Sequence, residues 1–109
     1  MAQRRELIKG SIASLLLCLI AQQPMYGYRI IKELERKSQG YFKFKEGTLY
    51  PALHRLEHRG WIKAEWGVSE LGRRARFYSL TAAGRKQLEV ETENWGRLSA
   101  AIARVLRMA

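Results

Sequence analysis

The stretch at residues 45–61, KEGTLYPALHRLEHRGW, decides how the chain is read. Placed on a helix at about 100° per residue, Leu49, Leu53 and Leu56 fall together as a narrow apolar stripe. The opposite pole collects Pro51, His54, Arg55 and His58, with Thr48 and Tyr50 on the flanks, and nothing on that face is acidic. Thr48 has the hydroxyl of a natural N-cap. Pro51 is tolerated because a first-turn N–H has no partner to lose. Gly60 supplies the stop. The spacing predicts a helix over residues 48–59 with one packed face and one face of donors, rings and positive charge. Such a helix suits the major groove of DNA; an ordinary amphipathic surface helix would carry the same leucine stripe.

The totals favour a polyanionic partner. The 109 residues carry 20 Lys and Arg against 10 acids, all of them Glu, for a net charge of +10. Residues 29–76 hold twelve of the cations and six of the acids, so the middle of the chain is where an anion would dock. Nucleic acid comes first and an anionic membrane surface second. The apolar fraction of 47% is high for a lone small domain, which reserves some surface for a second subunit. The one cysteine, Cys18, cannot close an internal disulfide and fits a reducing cytoplasm, where it reads as a small buried hydrophobe. The apolar run 12–21 is too short to span a bilayer, and no small-residue cleavage site follows it.

In chain order, residues 4–22 read as a first helix with a charged start (Arg4, Arg5, Glu6, Lys9) and an almost wholly apolar remainder. A helix apolar on every side is buried on every side. Residues 25–39 read as a second helix with Tyr28, Ile31 and Leu34 inward and Ile30 beside them. Residues 41–46 alternate rings and charges and could form a short strand. After the third helix, residues 61–66 alternate with strand period, residues 67–72 are turn chemistry, and Arg73, Arg74 and Arg76 lead into a second strand at 77–80. The result is a hairpin with a positive tip. Thr81 then caps a last helix over 82–108, with Leu88, Trp95 and Ile102 seven apart and Leu98 and Val105 each three residues on from Trp95 and Ile102, in the d positions of the same seam. Glu91 breaks that seam. A helix of this length runs about 40 Å and projects beyond a small domain. The fold class is therefore mainly α with a small β part (α+β): a winged helix-turn-helix over residues 1–80 and a dimerisation helix over residues 81–109.

These residues resemble a known family. Gly27-Tyr28 with Ile30, then residues 47–57 (GTLYPALHRLE), Arg59-Gly60, and residues 76–81 (RFYSLT) with Gly84, are similar to the PadR family of bacterial transcriptional regulators, across essentially the whole chain. The resemblance implies a homodimeric repressor of the short subfamily, released by a small aromatic ligand or another effector. It places Tyr50, Pro51, His54 and Arg55 toward the groove, and Lys45, Thr48 and Tyr26 or Tyr28 near phosphates. The wing arginines Arg73, Arg74 and Arg76 would reach phosphate or the minor groove. The interface would join Ile12, Leu16 and Leu19 of the first helix to Leu88, Trp95, Leu98, Ile102, Val105 and Leu106 of the last, with Trp95 also the ligand contact.

His54 and His58 are at metal-capable spacing, yet no third ligand stands ready, so no metal site is read. No cofactor motif and no set of catalytic groups appears, which speaks against an enzyme. The partners expected are double-stranded DNA with a near-palindromic operator, a second copy of the chain and a small aromatic effector, with no membrane. The competing reading is a winged-helix adaptor that binds protein instead of DNA. Trp61 and Trp66 are expected to pack in the core and hairpin.

Overall fold

A helix with apolar residues on all sides must lie at the centre of the fold, and the first helix does. In a computed structural model, which describes the backbone of residues 2–108 and the side chains of residues 12–107, α1 (Ala2–Gln22) packs against every other layer. The charged start of the helix falls outside the described side chains. Ile12, Leu16, Leu17, Leu19 and Ile20 are all buried in the chain's own core. The elements that follow are β1 (Met25–Tyr26), α2 (Gly27–Lys37), α3 (Glu46–His58), β2 (Ile62–Val68), β3 (Arg74–Leu80) and α4 (Ala82–Met108). The sheet is antiparallel in the order β1-β3-β2. Four helices with one small sheet make the winged helix-turn-helix expected from the sequence.

Several local expectations change. Residues 25 and 26 are a strand, not helix: Met25 pairs with Tyr78 and Tyr26 with Phe77. The helix starts at Gly27, so its inward stripe is Gly27, Ile30 and Leu34, and Tyr28 turns outward. Residues 41–45 form no strand. Gln39 and Gly40 both take positive φ and reverse the chain. The Phe42 and Phe44 rings then stack 5.8 Å apart against the core, where alternation would have sent them to one face of a sheet with no neighbour. The recognition segment starts earlier than Thr48. Lys45 holds the extended cap position, and its carbonyl accepts from the N–H groups of Thr48 and Leu49 at 3.0 Å each. Thr48 is thus inside the first turn and exposed.

The rest of α3 follows its stripe: Leu49, Leu53 and Leu56 are buried, with Ala52 beside them. Gly60, at φ 76°, ends the helix. Thr81 caps α4 as expected. The Gly84 N–H donates to its hydroxyl at 3.0 Å, and that hydroxyl donates to the Gly60 carbonyl at 2.6 Å. Gly84 lies so close to the Trp61 carbonyl that a methyl there would sit 2.0 Å from the oxygen.

The first half of α4 lies on the chain's own α1. Ser14 donates to Glu91 Oε2 at 2.7 Å, the Trp95 indole N–H donates to Ser14 Oγ at 2.9 Å, and Gln87 donates to Glu91 Oε1 at 3.0 Å. Glu91 interrupts the apolar seam because this network satisfies it. The second half of α4 leaves the domain. It stretches the molecule to 53 Å in its longest dimension and lifts the radius of gyration to 15.1 Å, against about 13 Å for a compact chain of this size.

Candidate nucleic-acid interface

The outer face of α3 presents Pro51, His54, Arg55 and His58 to solvent, with Lys45 and Thr48 exposed at its start. Tyr50 is on the edge of this face. Its ring fills the space that Gly27 leaves at the N-terminus of α2, where an added Cβ would lie 2.4 Å from the phenol oxygen. Burial and the nearby Glu46 carboxylate raise the Tyr50 pKa, so the hydroxyl stays protonated and able to donate. Tyr50 therefore joins α3 to α2 while keeping a polar edge outward.

Tyr28 and Tyr26 separate. Tyr28 is 52% exposed, with the Lys32 ammonium 5.4 Å from its ring centroid. Tyr26 is buried and its hydroxyl donates to Glu70 Oε1 at 3.0 Å. That contact ties β1 to the wing tip and takes Tyr26 out of the outward-facing set. Burial pushes the Tyr26 phenol up, with the Glu70 bond adding to the shift. Glu70 is held below the usual carboxylate range, first by its own backbone N–H and then by the Tyr26 hydroxyl.

The wing is a seven-residue pair of strands closed by a tight turn. The Ser69 N–H donates to the Arg73 carbonyl at 2.8 Å and the Gly72 N–H to the Ser69 carbonyl at 2.9 Å. In its register Ile62 faces Leu80, Ala64 faces Tyr78, Trp66 faces Arg76 and Val68 faces Arg74. Residues directly opposite share a face. One face of the hairpin thus runs from buried Ile62 and Tyr78 at the base to Trp66, Arg76, Val68 and Arg74 toward the tip. This is the side that meets α3: Arg76 Nη2 lies 3.0 Å from Glu57 Oε2. The three wing arginines are not equivalent. Arg76 is committed to Glu57, Arg74 stacks 4.5 Å over the Trp66 ring, and Arg73 is exposed at the turn. The sequence missed this division because the bond from Arg76 to Glu57 spans two elements. Trp66 packs on the hairpin against Arg74 and is 61% exposed.

The residues expected at a subunit interface also divide. Ile12, Leu16 and Leu19 are fully used in the chain's own core, since α1 is its central helix, and they leave the interface set. Leu88 and Trp95 are half-buried against α1. Leu98, Ile102, Val105 and Leu106 stand exposed at 44%, 47%, 67% and 69%. Cys18 is exposed, contrary to its expected burial, because it points away from the core. It lies in an open apolar groove of about 360 Å³ lined by Leu15, Phe42, Leu88 and Trp95 among others. Among the described residues no helix is long and apolar enough to cross a membrane, and no three His, Cys or Glu side chains gather as a metal set.

Comparison with known proteins agrees with this arrangement. The chain is 38% identical over 84 residues to the transcriptional regulator Rv3488 of Mycobacterium tuberculosis, covering 77% of this chain and 75% of that one. A PadR-like transcriptional regulator from Bacillus cereus superimposes with a TM-score of 0.83 at 29% identity, over 93% of this chain and 96% of that one. A transcriptional regulator from Clostridium thermocellum gives 0.81 at 32% identity, over 91% and 96%. Residues 16–90, from the middle of α1 into α4, match the Transcriptional regulator PadR-like family, and with helices, sheet and wing in the same order the chain belongs to that family.

Proposed function

We propose that the protein is a sequence-specific DNA-binding repressor that acts as a homodimer, each copy placing α3 in the major groove of a near-palindromic operator. The observation that carries this reading is the outer face of α3. It is exposed and free of acids, the N-terminus of α2 meets the helix at Tyr50, and the wing meets it where Arg76 bonds Glu57. Arg55 and His54 supply donors for base edges or phosphates. Lys45, Thr48, Tyr50 and Pro51 line the approach.

A second copy explains the apolar surface that one chain leaves open. The exposed residues of the distal α4 have the spacing of a helix seam, and the groove beside Cys18 is the apolar surface such an arm can cover. Residues 81–109 then serve as the dimerisation arm and residues 1–80 as the DNA-binding part. Trp95, on the rim of that groove, is the ring available to a flat aromatic effector. An effector that favours one arrangement of the arms changes the spacing of the recognition helices and so the affinity for DNA.

The test is selection of bound duplexes from a random pool, followed by titration at several salt concentrations. The expected result is a near-palindromic consensus with half-site centres about 34–36 Å apart, or a multiple. With about 6–10 phosphate contacts, affinity should fall roughly 10³–10⁵-fold from 50 to 200 mM salt. Failure to enrich any duplex would remove DNA as the partner.

A further inference from the structure

A half-buried carboxylate and two arginines border one small cavity without pairing. The cavity, of about 230 Å³, lies where α1, α3 and α4 meet, and Ile12, Ala13, Ala52 and Leu56 give it apolar walls. Arg55 and Arg59 border it from α3 and its C-cap, and Glu91 borders it from α4. Glu91 accepts from Ser14 and Gln87, both neutral donors. An ionised carboxylate offers about four lone-pair sites, so about half of its accepting capacity is open. Among the described residues no ion pair engages Glu91, Arg55 or Arg59. The Arg59 guanidinium lies 5.1 Å from the ring centroid of Trp61, which also lines the cavity. Stacking on a ring uses the π face of the cation and leaves its N–H fork unspent.

Charges of both signs that border one space select a molecule that carries both. A carboxylate matches the guanidinium fork, and an ammonium donates to the open lone pairs of Glu91. A plain carboxylate would sit beside the like charge of Glu91, and a plain amine beside two guanidinium groups. The apolar walls suit a short hydrocarbon body. The volume is below the about 300–1,000 Å³ of pockets for drug-sized molecules, which limits the ligand to a few atoms.

We propose that this cavity is a binding site for a free α-amino acid with an aliphatic side chain, its carboxylate held by Arg55 and Arg59 and its ammonium by Glu91. The site shares no lining residue with the groove beside Cys18. Ligand binding itself does not depend on DNA; its effect through Arg55 rests on the DNA-binding reading above. In that reading Arg55 offers its fork to the duplex. A ligand carboxylate takes the same fork, so occupancy weakens DNA binding, and DNA weakens ligand binding by the same factor.

The experiment is calorimetry of the full chain with leucine and with its two truncated forms, isocaproate, which lacks the amino group, and isoamylamine, which lacks the carboxylate. Leucine should bind once per chain, and each truncated form at least about tenfold more weakly, because it leaves a charge of the site unpaired. Arg59→Gln should weaken leucine about tenfold or more. Glu91→Gln keeps an acceptor for Ser14 and should bind leucine and isocaproate alike, a loss of discrimination that a merely structural role would not produce. Circular dichroism checks that both variants fold. The proposal is overturned if leucine does not bind, if isocaproate binds as tightly as leucine, if Arg59→Gln keeps the parent affinity, or if Glu91→Gln still discriminates. With the selected duplex, saturating leucine should weaken DNA binding about tenfold, and unchanged DNA affinity would overturn the shared use of Arg55. A pool that yields no bound duplex removes the DNA-binding reading, while the calorimetry still decides the site.

Discussion

Ser14 sits between two helices and serves both. It donates to Glu91 and accepts from the Trp95 indole, so two polar groups of the α1–α4 contact depend on one hydroxyl. Ser14→Ala should destabilise the fold by about 1–3 kcal/mol through the unsatisfied partners it leaves, read as a lower denaturation midpoint with an unchanged slope. Gly84→Ala should be at least as costly, about 1–3 kcal/mol or more, because the added methyl meets the Trp61 carbonyl oxygen and backbone has to move. Glu70 gives a pH signature. Its carboxyl is held below its usual range in the folded protein, so the stabilisation is present at neutral pH and lost as pH falls through that lowered value. Hydrogen exchange in residues 69–73 should therefore rise only in acid, and Glu70→Gln should show the acid behaviour at neutral pH. Equal protection in both proteins at neutral pH would remove the clamp between Glu70 and Tyr26.

At the scale of the element, α4 is two helices in one. Its first half is fixed to α1, and its second half shows an unpartnered seam. Leu98→Glu with Ile102→Glu should leave the domain folded but yield monomers, and affinity for a full operator should drop about 10²-fold or more with the loss of the second arm. A dimer that persists in this double variant places the interface elsewhere. Much of this element plan was legible in the sequence, because the leucine stripe of α3, the Gly60 stop, the Thr81 cap and the strand alternation after Trp61 are local signals. The site residues were harder to read. Tyr28, expected inward from its spacing, stands outward, and Tyr26 is buried because Met25 and Tyr26 join the sheet, a pairing with residues 77 and 78 far along the chain. The same long-range cause hid the role of Arg76. Ile12, Leu16 and Leu19 looked available to a partner only because a helix apolar all round does not reveal which side its own chain will take. Residues 41–46 alternated like a strand but had no neighbouring edge to pair with.

At the scale of the molecule, the charge and the shape point the same way. A net charge of +10 is gathered mostly on the domain that carries α3 and the wing, while the arm carries the apolar seam. On the proposed reading, separating the two surfaces would let one chain meet DNA and another copy of itself at once. Two linked copies neutralise twice the phosphates, so the salt slope of the dimer should be about double that of the monomeric arm variant. Sedimentation velocity of the protein alone and with its selected duplex examines this most directly. The expected result is a dimer in the absence of DNA and two chains on each near-palindromic duplex in its presence; a monomer that binds one chain per duplex, or a dimer that leaves the duplex free, would contradict it.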